Sequence, residues 1–226
     1  MSKKILIVGA GITGLSLAGL LKKSDIDVTI IDRVQSLNQP GYGITVMPAG
    51  LEVIDKLGLG KKARTLGVSA RNCQVIDSQG KVLKAFDLAD SGVESVTTNR
   101  ADLHKLLAGF VGERTIRFDT TISEWSQDKS GVNVTFSDGT HGRYDAVIAT
   151  DGINSPMRTQ LFPENKPEYV GAAMWAVMLP EGIELEQPET VRSYWADEKF
   201  MGIFPIDKTR ASVAFSMPLS PDIRAS

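Results

Sequence analysis

The pattern of apolar residues at the start of the chain changes period twice. Residues 5–8 form an unbroken run of branched apolar side chains, which is typical of a strand buried in a parallel sheet. Apolar residues then recur at helical spacing, at Leu15, Leu17, Ala18 and Leu21. A second apolar run covers residues 28–31. Strand, helix and strand in this order predict a βαβ unit.

The middle of the chain predicts short elements of both kinds. Residues 44–46 predict a short strand, and residues 49–59 predict a helix that Gly58 and Gly60 end. Residues 69–88 predict a hairpin, because a turn signal separates two extended runs. A further extended stretch, 93–98, leads to a helix for which Asn99 is a suitable N-cap.

The second half predicts mainly strands. Segments 115–118, 121–127 and 132–136 predict an antiparallel ribbon that interrupts the parallel sheet, to which residues 145–150 return as a buried strand. A linker at 163–167 precedes four strand-like segments of an antiparallel sheet: 170–179, 190–196, 200–206 and 210–217. Aromatic side chains in that sheet either line an apolar pocket or pack in the core, at Trp175, Trp195, Phe200, Phe204 and Phe215.

Composition narrows the class of protein. The 226 residues are 42% hydrophobic and 23% charged with a net charge of −2, so nothing favours a nucleic-acid partner or an anionic membrane surface. The apolar runs are far too short to span a membrane, and the first strand begins too early for a signal peptide. One cysteine and two separated histidines indicate neither a disulfide nor a metal site. We therefore expect a metal-free, soluble, cytoplasmic protein.

Glycines at the first strand–helix junction supply the strongest chemical signal. Gly9, Gly11 and Gly14 form G-x-G-x-x-G, in which they allow a tight turn, a close approach of backbone to a pyrophosphate, and close helix packing. Asp32 ends the second strand, where a carboxylate can accept hydrogen bonds from an adenosine ribose. This favours FAD or NAD over NADP. The alternative is a βαβ unit without a ligand.

Two further residues are candidates with ordinary alternatives. Arg100 falls in the first turn of its helix, where the helix dipole disfavours a cation, so a phosphate ligand would explain it. A solvated surface arginine is the ordinary alternative. Asp151 follows the last strand of the parallel sheet, where ligands gather in such folds. An Asp-Gly turn that opens a helix is the alternative.

Three motifs in one order carry a family resemblance. They are Gly9-x-Gly11-x-x-Gly14 with Asp32-Arg33, then Arg100-Ala101-Asp102-Leu103, then Asp151-Gly152-x-x-Ser155-x-x-Arg158. Together they resemble the class A FAD-dependent aromatic hydroxylases, the single-component flavoprotein monooxygenases of the p-hydroxybenzoate hydroxylase fold. In such enzymes NAD(P)H reduces the flavin, and one oxygen atom of O₂ passes to an electron-rich ring.

The resemblance implies a role for each matched position. Residues at the glycine turn would hold the FAD pyrophosphate: Gly9, Gly11, Ile12, Thr13 and Gly14. Asp32 would hold the adenosine ribose, with Arg33 beside the adenine and the backbone near Ile122 touching it. Arg100 would contact the phosphate–ribityl part of FAD. Thr45 would lie near the flavin, and Asp151, supported by Arg158, would belong to the motif shared by FAD and NAD(P)H.

The chain departs from the family in two places. The family's third FAD motif contains a Gly-Asp pair, and no Gly-Asp dipeptide occurs in the 226 residues. This predicts a fragment, a natural truncation with altered function, or completion by a second copy or another chain at an open sheet edge. The second departure is Ala149-Thr150 before Asp151, where the family often has Gly-Ala.

The sequence therefore predicts an α/β fold, a Rossmann-like FAD-binding parallel sheet interleaved with an antiparallel substrate-domain sheet. We assign residues 1–70 and 99–160 to the FAD-binding region, and 71–98 and 161–226 to the substrate sheet. The expected function is hydroxylation of a small aromatic or heteroaromatic compound with FAD, NAD(P)H and O₂. The alternatives are a non-catalytic FAD- or ADP-binding protein and an NAD-dependent dehydrogenase. The sequence identifies no catalytic residue.

Overall fold

The chain folds into two compact units, each assembled from two separate segments. The computed structural model describes residues 2–37, 41–88, 92–112, 115–180 and 182–220. The first unit comprises Met1–Gln39 and His104–Lys166, and the second comprises Pro40–Leu103 and Pro167–Ser226. The assignment of cofactor and substrate regions made from the sequence stays a prediction. Residues 221–226 of the predicted substrate sheet lie outside the described residues, and so do the residues in the internal gaps.

The elements follow one another in a mixed order of strands and helices. In chain order they are β1 (Lys3–Val8), α1 (Ile12–Leu21), β2 (Ile26–Ile31), β3 (Gly43–Val46), α2 (Pro48–Lys56), α3 (Gly60–Arg64), β4 (Gly67–Val68), β5 (Asn72–Asp77), β6 (Val82–Asp87), β7 (Val96–Asn99), α4 (Arg100–Val111), β8 (Ile116–Arg117), β9 (Ile122–Asp128), β10 (Gly131–Phe136), β11 (His141–Tyr144), β12 (Ala146–Ala149), α5 (Pro156–Leu161), β13 (Ala172–Met178), β14 (Thr190–Ala196), β15 (Lys199–Pro205) and β16 (Ala211–Pro218).

A parallel sheet forms the centre of the first unit. Its strand order is β12-β1-β2-β8, and every neighbouring pair is parallel. The apolar run of β1 lies between two partners, and its residues Leu6 and Ile7 are fully buried. Helix α1 connects β1 to β2, so the predicted βαβ unit is present.

Two strand predictions in this unit need correction. The segment after residue 115 was predicted in an antiparallel ribbon, but its two-residue strand β8 pairs in parallel with β2. The ribbon itself consists of β9, β10 and the unpredicted β11. Strand β12 was predicted to be buried, whereas Val147 and Ile148 are only partly buried and Ala149 is exposed. Its position at the outside of the described sheet explains this, because β1 covers only one of its edges.

The ribbon packs on one face of the parallel sheet. The buried cluster between them contains Leu6, Val8, Ile31, Ile122, Val134, Phe136 and Met157. Leu6 and Val8 alternate with Ile7 along β1 and therefore share a face of the sheet. This part of the core thus lies against the last residues of β1 and β2.

The second unit contains the larger sheet. Its six strands have the order β13-β16-β15-β14-β5-β6. All its pairs are antiparallel except β14 with β5, which is parallel, so the predicted hairpin of residues 69–88 joins the predicted antiparallel sheet through one parallel pair. A smaller antiparallel sheet, β3-β7-β4, is attached to it, and the Gly43 N–H donates to Ser212 Oγ at 3.0 Å.

The helix predicted over residues 49–59 is present as α2, which begins and ends slightly earlier, and a second short helix, α3, follows it. Pro48 occupies the first turn of α2, and Gly58 ends it with a φ of +77°, a conformation that favours glycine. Helix α3 follows at once, and its Arg64 bonds Asp55 and Glu94 at 2.7 Å each. Helix α3 was not predicted, because its five residues contain too few apolar side chains to show a helical period. Within the described part of the chain, no helix is long and apolar enough to cross a membrane.

Candidate functional site

The turn between β1 and α1 requires its first glycine. Gly9 has a φ of +107°, which residues with a side chain rarely adopt. A Cβ on Gly9 would also lie 2.5 Å from the carbonyl oxygen of Thr150, at the end of the neighbouring strand β12. The backbone of β1 therefore turns towards α1 in contact with the end of β12, which only glycine permits.

The other two glycines differ in what surrounds them. A Cβ on Gly11 would meet no atom within 4 Å, so there is open space in front of that residue. A Cβ on Gly14 would lie 2.0 Å from the Gly9 carbonyl oxygen, so the helix packs directly on the turn. The space is thus left at the position where a phosphate would approach, and the close packing lies one turn further along.

The N-terminus of α1 carries unpaired hydrogen-bond donors. The first bond of the helix runs from Leu15 N–H to Gly11 carbonyl at 2.9 Å, so the N–H groups of Ile12, Thr13 and Gly14 have no partner within the helix. No side chain caps this end, and no acidic residue lies in the first turn. The helix dipole and these N–H groups together favour an anion.

Asp32 is bonded to the turn as well as placed beside it. Its Oδ2 accepts a hydrogen bond from the Ala10 N–H at 2.7 Å, and its Oδ1 accepts one from the Val34 N–H at 3.0 Å. A carboxylate oxygen can accept more than one bond, so both oxygens retain capacity for a ligand hydroxyl. The neighbouring Arg33 is exposed. Asp32 therefore fixes the turn in addition to its predicted contact with a ribose.

Asp151 and Arg158 form a capped turn at the same edge of the parallel sheet. Val8 pairs with Ala149, so β1 and β12 end side by side. Asp151 Oδ2 accepts a bond from Met157 N–H at 3.3 Å, and the Arg158 guanidinium donates to the Ile153 carbonyl at 2.7 Å. The segment thus leads into helix α5 and also lies beside the glycine turn, since a Cβ built on Gly9 would be 3.1 Å from the Asp151 Cα.

Ser155 provides the cap itself. Its hydroxyl accepts a hydrogen bond from Arg158 N–H at 2.9 Å at the start of α5. Ile122, the remaining predicted residue of this unit, begins β9 and buries its side chain in the core cluster. Only its backbone is available for the predicted contact with adenine.

Thr45 and Arg100 belong to the second unit. Thr45 lies on β3, and its hydroxyl is 2.9 Å from that of Thr97. The Arg100 guanidinium lies 5.7 Å from the centre of the Tyr42 ring, and no carboxylate of the described residues lies within ion-pair distance of it. An arginine held on an aromatic face without a carboxylate keeps its donors for another anion.

The aromatic residues of the large sheet do not form one pocket wall. Trp175 stacks on Phe215, with ring centres 5.3 Å apart, and Phe215 pairs with Met201 across the strands. Phe200 and Phe204 alternate with Met201 along β15 and so lie on the opposite face. The five aromatic residues therefore divide between the two faces of the sheet, with Trp175 and Phe215 on one face and the other three on the opposite face.

One face of the sheet nevertheless presents an aromatic group. Trp195 lies 5.0 Å from Phe200, ring centre to ring centre. A Cβ on Gly202 would lie 2.5 Å from the Phe204 ring and 2.8 Å from the Phe200 ring, so this glycine lets both rings converge. The three aromatic residues form a continuous apolar surface.

Two residues that hold the turn escaped the sequence analysis. His104 is buried on α4, and its Nε2 lies 2.6 Å from the Ala10 carbonyl oxygen. The Thr150 hydroxyl lies 2.9 Å from the carbonyl oxygens of both Val8 and Gly9. A signal for its burial existed in the sequence, because His104 shares a helix face with the apolar residues Leu107 and Ala108, three and four positions further along.

We expect Thr150→Val to destabilise the protein. The isosteric change leaves the Gly9 carbonyl without the hydroxyl that bonds it, which should lower the free energy of unfolding by about 1–2 kcal/mol. Thr150→Ser keeps the hydroxyl and should retain most of the stability. Urea unfolding would measure both variants. Thr29→Val on β2 is the matched control, and an equal loss there would contradict the assignment.

Comparisons with known proteins decide the family. A model of the FAD binding domain family matches residues 2–226. The chain belongs to this family. The predicted resemblance to the class A FAD-dependent monooxygenases is thereby confirmed, and so is the α/β fold with parallel and antiparallel sheets.

The curated relatives include a FAD-dependent hydroxylase and a monooxygenase. The chain is 28% identical over 224 residues to the FAD-dependent urate hydroxylase of Klebsiella pneumoniae, covering 96% of this chain and 58% of that protein. It is 28% identical over 186 residues to 3-amino-4-hydroxybenzoate 2-monooxygenase of Streptomyces cremeus, covering 80% of this chain and 47% of that one.

A solved structure of Klebsiella pneumoniae HpxO complexed with FAD and uric acid matches at a TM-score of 0.85 and 26% identity. The match covers 97% of this chain and 57% of that structure. The chain thus spans about half the length of the relatives that it matches.

Proposed function

We propose that this chain binds FAD at the β1–α1 turn and acts in the hydroxylation of a small aromatic or heteroaromatic compound with NAD(P)H and O₂. The observation that carries the proposal is the combination of open space at Gly11 with unpaired N–H groups at the start of α1. Asp32 lies one hydrogen bond away from that turn. These residues fit a dinucleotide pyrophosphate with its ribose.

Each part of the site has a physical task in this proposal. The N–H groups of Ile12, Thr13 and Gly14 bind phosphate oxygens, and Asp32 accepts bonds from the ribose hydroxyls. Arg33 lies beside the adenine, which the backbone near Ile122 also contacts. When FAD is bound, it supplies the transfer of electrons from NAD(P)H to O₂ and of one oxygen atom to the substrate.

The remaining residues serve the other end of the cofactor. Arg100 presents a guanidinium without a carboxylate partner among the described side chains, which suits a phosphate. Thr45 lies near the flavin, and Asp151 with Arg158 serves the motif shared by FAD and NAD(P)H. The aromatic group of Trp195, Phe200 and Phe204 suits a planar apolar substrate. A cytoplasmic location and an oligomeric or complemented assembly stay predictions from the sequence.

The proposal is tested by the absorbance spectrum of the purified chain and by titration with FAD and then ADP. We expect saturable binding of both ligands and a flavin absorbance band that co-purifies or can be restored. ADP binding without any flavin band would support only the adenosine half of the site and favour the non-catalytic alternative. A chain that binds neither ligand would overturn the proposed function.

A further inference from the structure

The peptide groups at the start of the turn are all held by other parts of the chain. The Gly9 carbonyl is bonded by the Thr150 hydroxyl at 2.9 Å. The Ala10 N–H donates to Asp32 at 2.7 Å, and the Ala10 carbonyl lies 2.6 Å from His104 Nε2. Three segments distant in sequence therefore fix two consecutive residues.

The bond from His104 has a defined direction. A carbonyl oxygen can only accept, so Nε2 of His104 must carry a proton and act as the donor. The side chain is only 7% exposed, and Ala10 is 1% exposed, so water does not compete freely for this bond. Burial of both partners makes an unmade bond costly here.

Peptide planarity transmits this bond to the next residue. The Ala10 carbonyl and the Gly11 N–H belong to one trans peptide and point in opposite directions. Holding the carbonyl towards α4 therefore turns the Gly11 N–H away from α4. Gly11 is the residue in front of which the structure leaves open space.

We propose that His104 is a positioning residue for anion binding at the β1–α1 turn, because it fixes the Ala10–Gly11 peptide with its N–H available to a phosphate. This inference rests on the proposed binding of a dinucleotide at that turn. His104 needs no contact with the ligand, since it acts through the peptide. An unheld peptide could rotate and present its carbonyl oxygen, which repels a phosphate.

Calorimetric titration with ADP tests the inference. His104→Leu removes the donor and should weaken ADP binding about tenfold, which is roughly the effect of losing one hydrogen bond to the ligand. His104→Gln places an amide N–H at a similar reach and should restore the affinity to within about threefold of the unaltered chain. His141→Leu, at an exposed position of β11, is the control and should bind ADP normally.

Amide hydrogen exchange without ligand supplies a second measurement. Exchange in the segment 9–15 should become faster in His104→Leu and return towards the original rate in His104→Gln. His104→Asn, whose amide is too short to reach, replaces the leucine variant if that variant does not fold.

Four results would count against the inference. Unchanged ADP affinity in His104→Leu would overturn it, and so would unchanged exchange in the segment 9–15. A glutamine variant that folds but binds no better than the leucine variant would also overturn it, because the donor would then be irrelevant. If the unaltered chain does not bind ADP, the proposed function fails and this inference fails with it.

Discussion

We expect Gly14→Ala to lower the free energy of unfolding by about 3 kcal/mol, the upper end of the typical range for overpacking an interior. The added methyl carbon would lie 2.0 Å from the Gly9 carbonyl oxygen and 2.7 Å from Thr150 Oγ1. The first of these atoms is backbone, and the second is bonded to two carbonyls. Neither can move without breaking the contact between α1, β1 and β12.

Gly11→Ala is the control for this prediction, and its expected result is the opposite one. Its methyl carbon meets nothing within 4 Å, and the φ of −72° suits alanine, so stability should change by less than about 1 kcal/mol. The methyl group occupies the space proposed for the pyrophosphate, so ADP binding should weaken at least about tenfold. Urea unfolding and ADP titration of both variants would show this crossed pattern. Equal stability losses would contradict it.

The second large effect is expected from Asp32→Ala. The substitution removes the acceptor of the Ala10 and Val34 N–H groups, and the first of these belongs to a buried residue. Bonds to charged groups are strong, so we expect a loss of about 2–4 kcal/mol in the free energy of unfolding. ADP binding should fall below detection at moderate concentration, because the turn and the ribose contact are lost together.

Asp32→Asn separates these two tasks. Its single oxygen can still accept one of the two backbone bonds, so more of the fold should survive. The unaltered chain should bind ADP more tightly than 2′,3′-dideoxy-ADP, and this preference should vanish in the asparagine variant. A thermodynamic cycle over the two proteins and the two ligands gives the coupling free energy between residue 32 and the ribose hydroxyls. A preference that persists in Asp32→Asn would show that another group holds the ribose.

The β1–α1 turn could be predicted because each of its signals is local. The apolar run before Gly9, the glycine spacing and the helical period after Gly14 all occur within one short stretch, and each favours the same structure. Asp32 follows directly after the next strand, β2. Local patterns that agree leave few alternative folds.

The residues that hold the turn could not be predicted in the same way. His104 and Thr150 act on Gly9 and Ala10 from far along the chain, and no local pattern encodes those contacts. Thr150 was noted only as a departure from the family. The structure gives it a hydrogen-bonding role that a residue without a hydroxyl group could not perform.

The errors in the strand predictions have a different physical cause. Strand β8 is only two residues long, so its alternation cannot distinguish a parallel partner from an antiparallel one. The aromatic residues of the large sheet could be assigned to faces only after the register between β13, β16 and β15 was known. The alternation of side chains along one strand does not show which residues of the next strand lie on the same face of the sheet.

The parallel pairing of β1 with β12 also constrains the order in which the molecule can be built during synthesis. Strand β1 emerges first from the ribosome, yet its partner at Ala146–Ala149 and the adjacent Thr150 emerge much later. Pairings between such distant segments form slowly, because the entropy of closing a long loop must be overcome first. A nascent chain that stops before residue 146 therefore carries the complete glycine motif without the strand beside β1 and without the hydroxyl that bonds the Gly9 carbonyl.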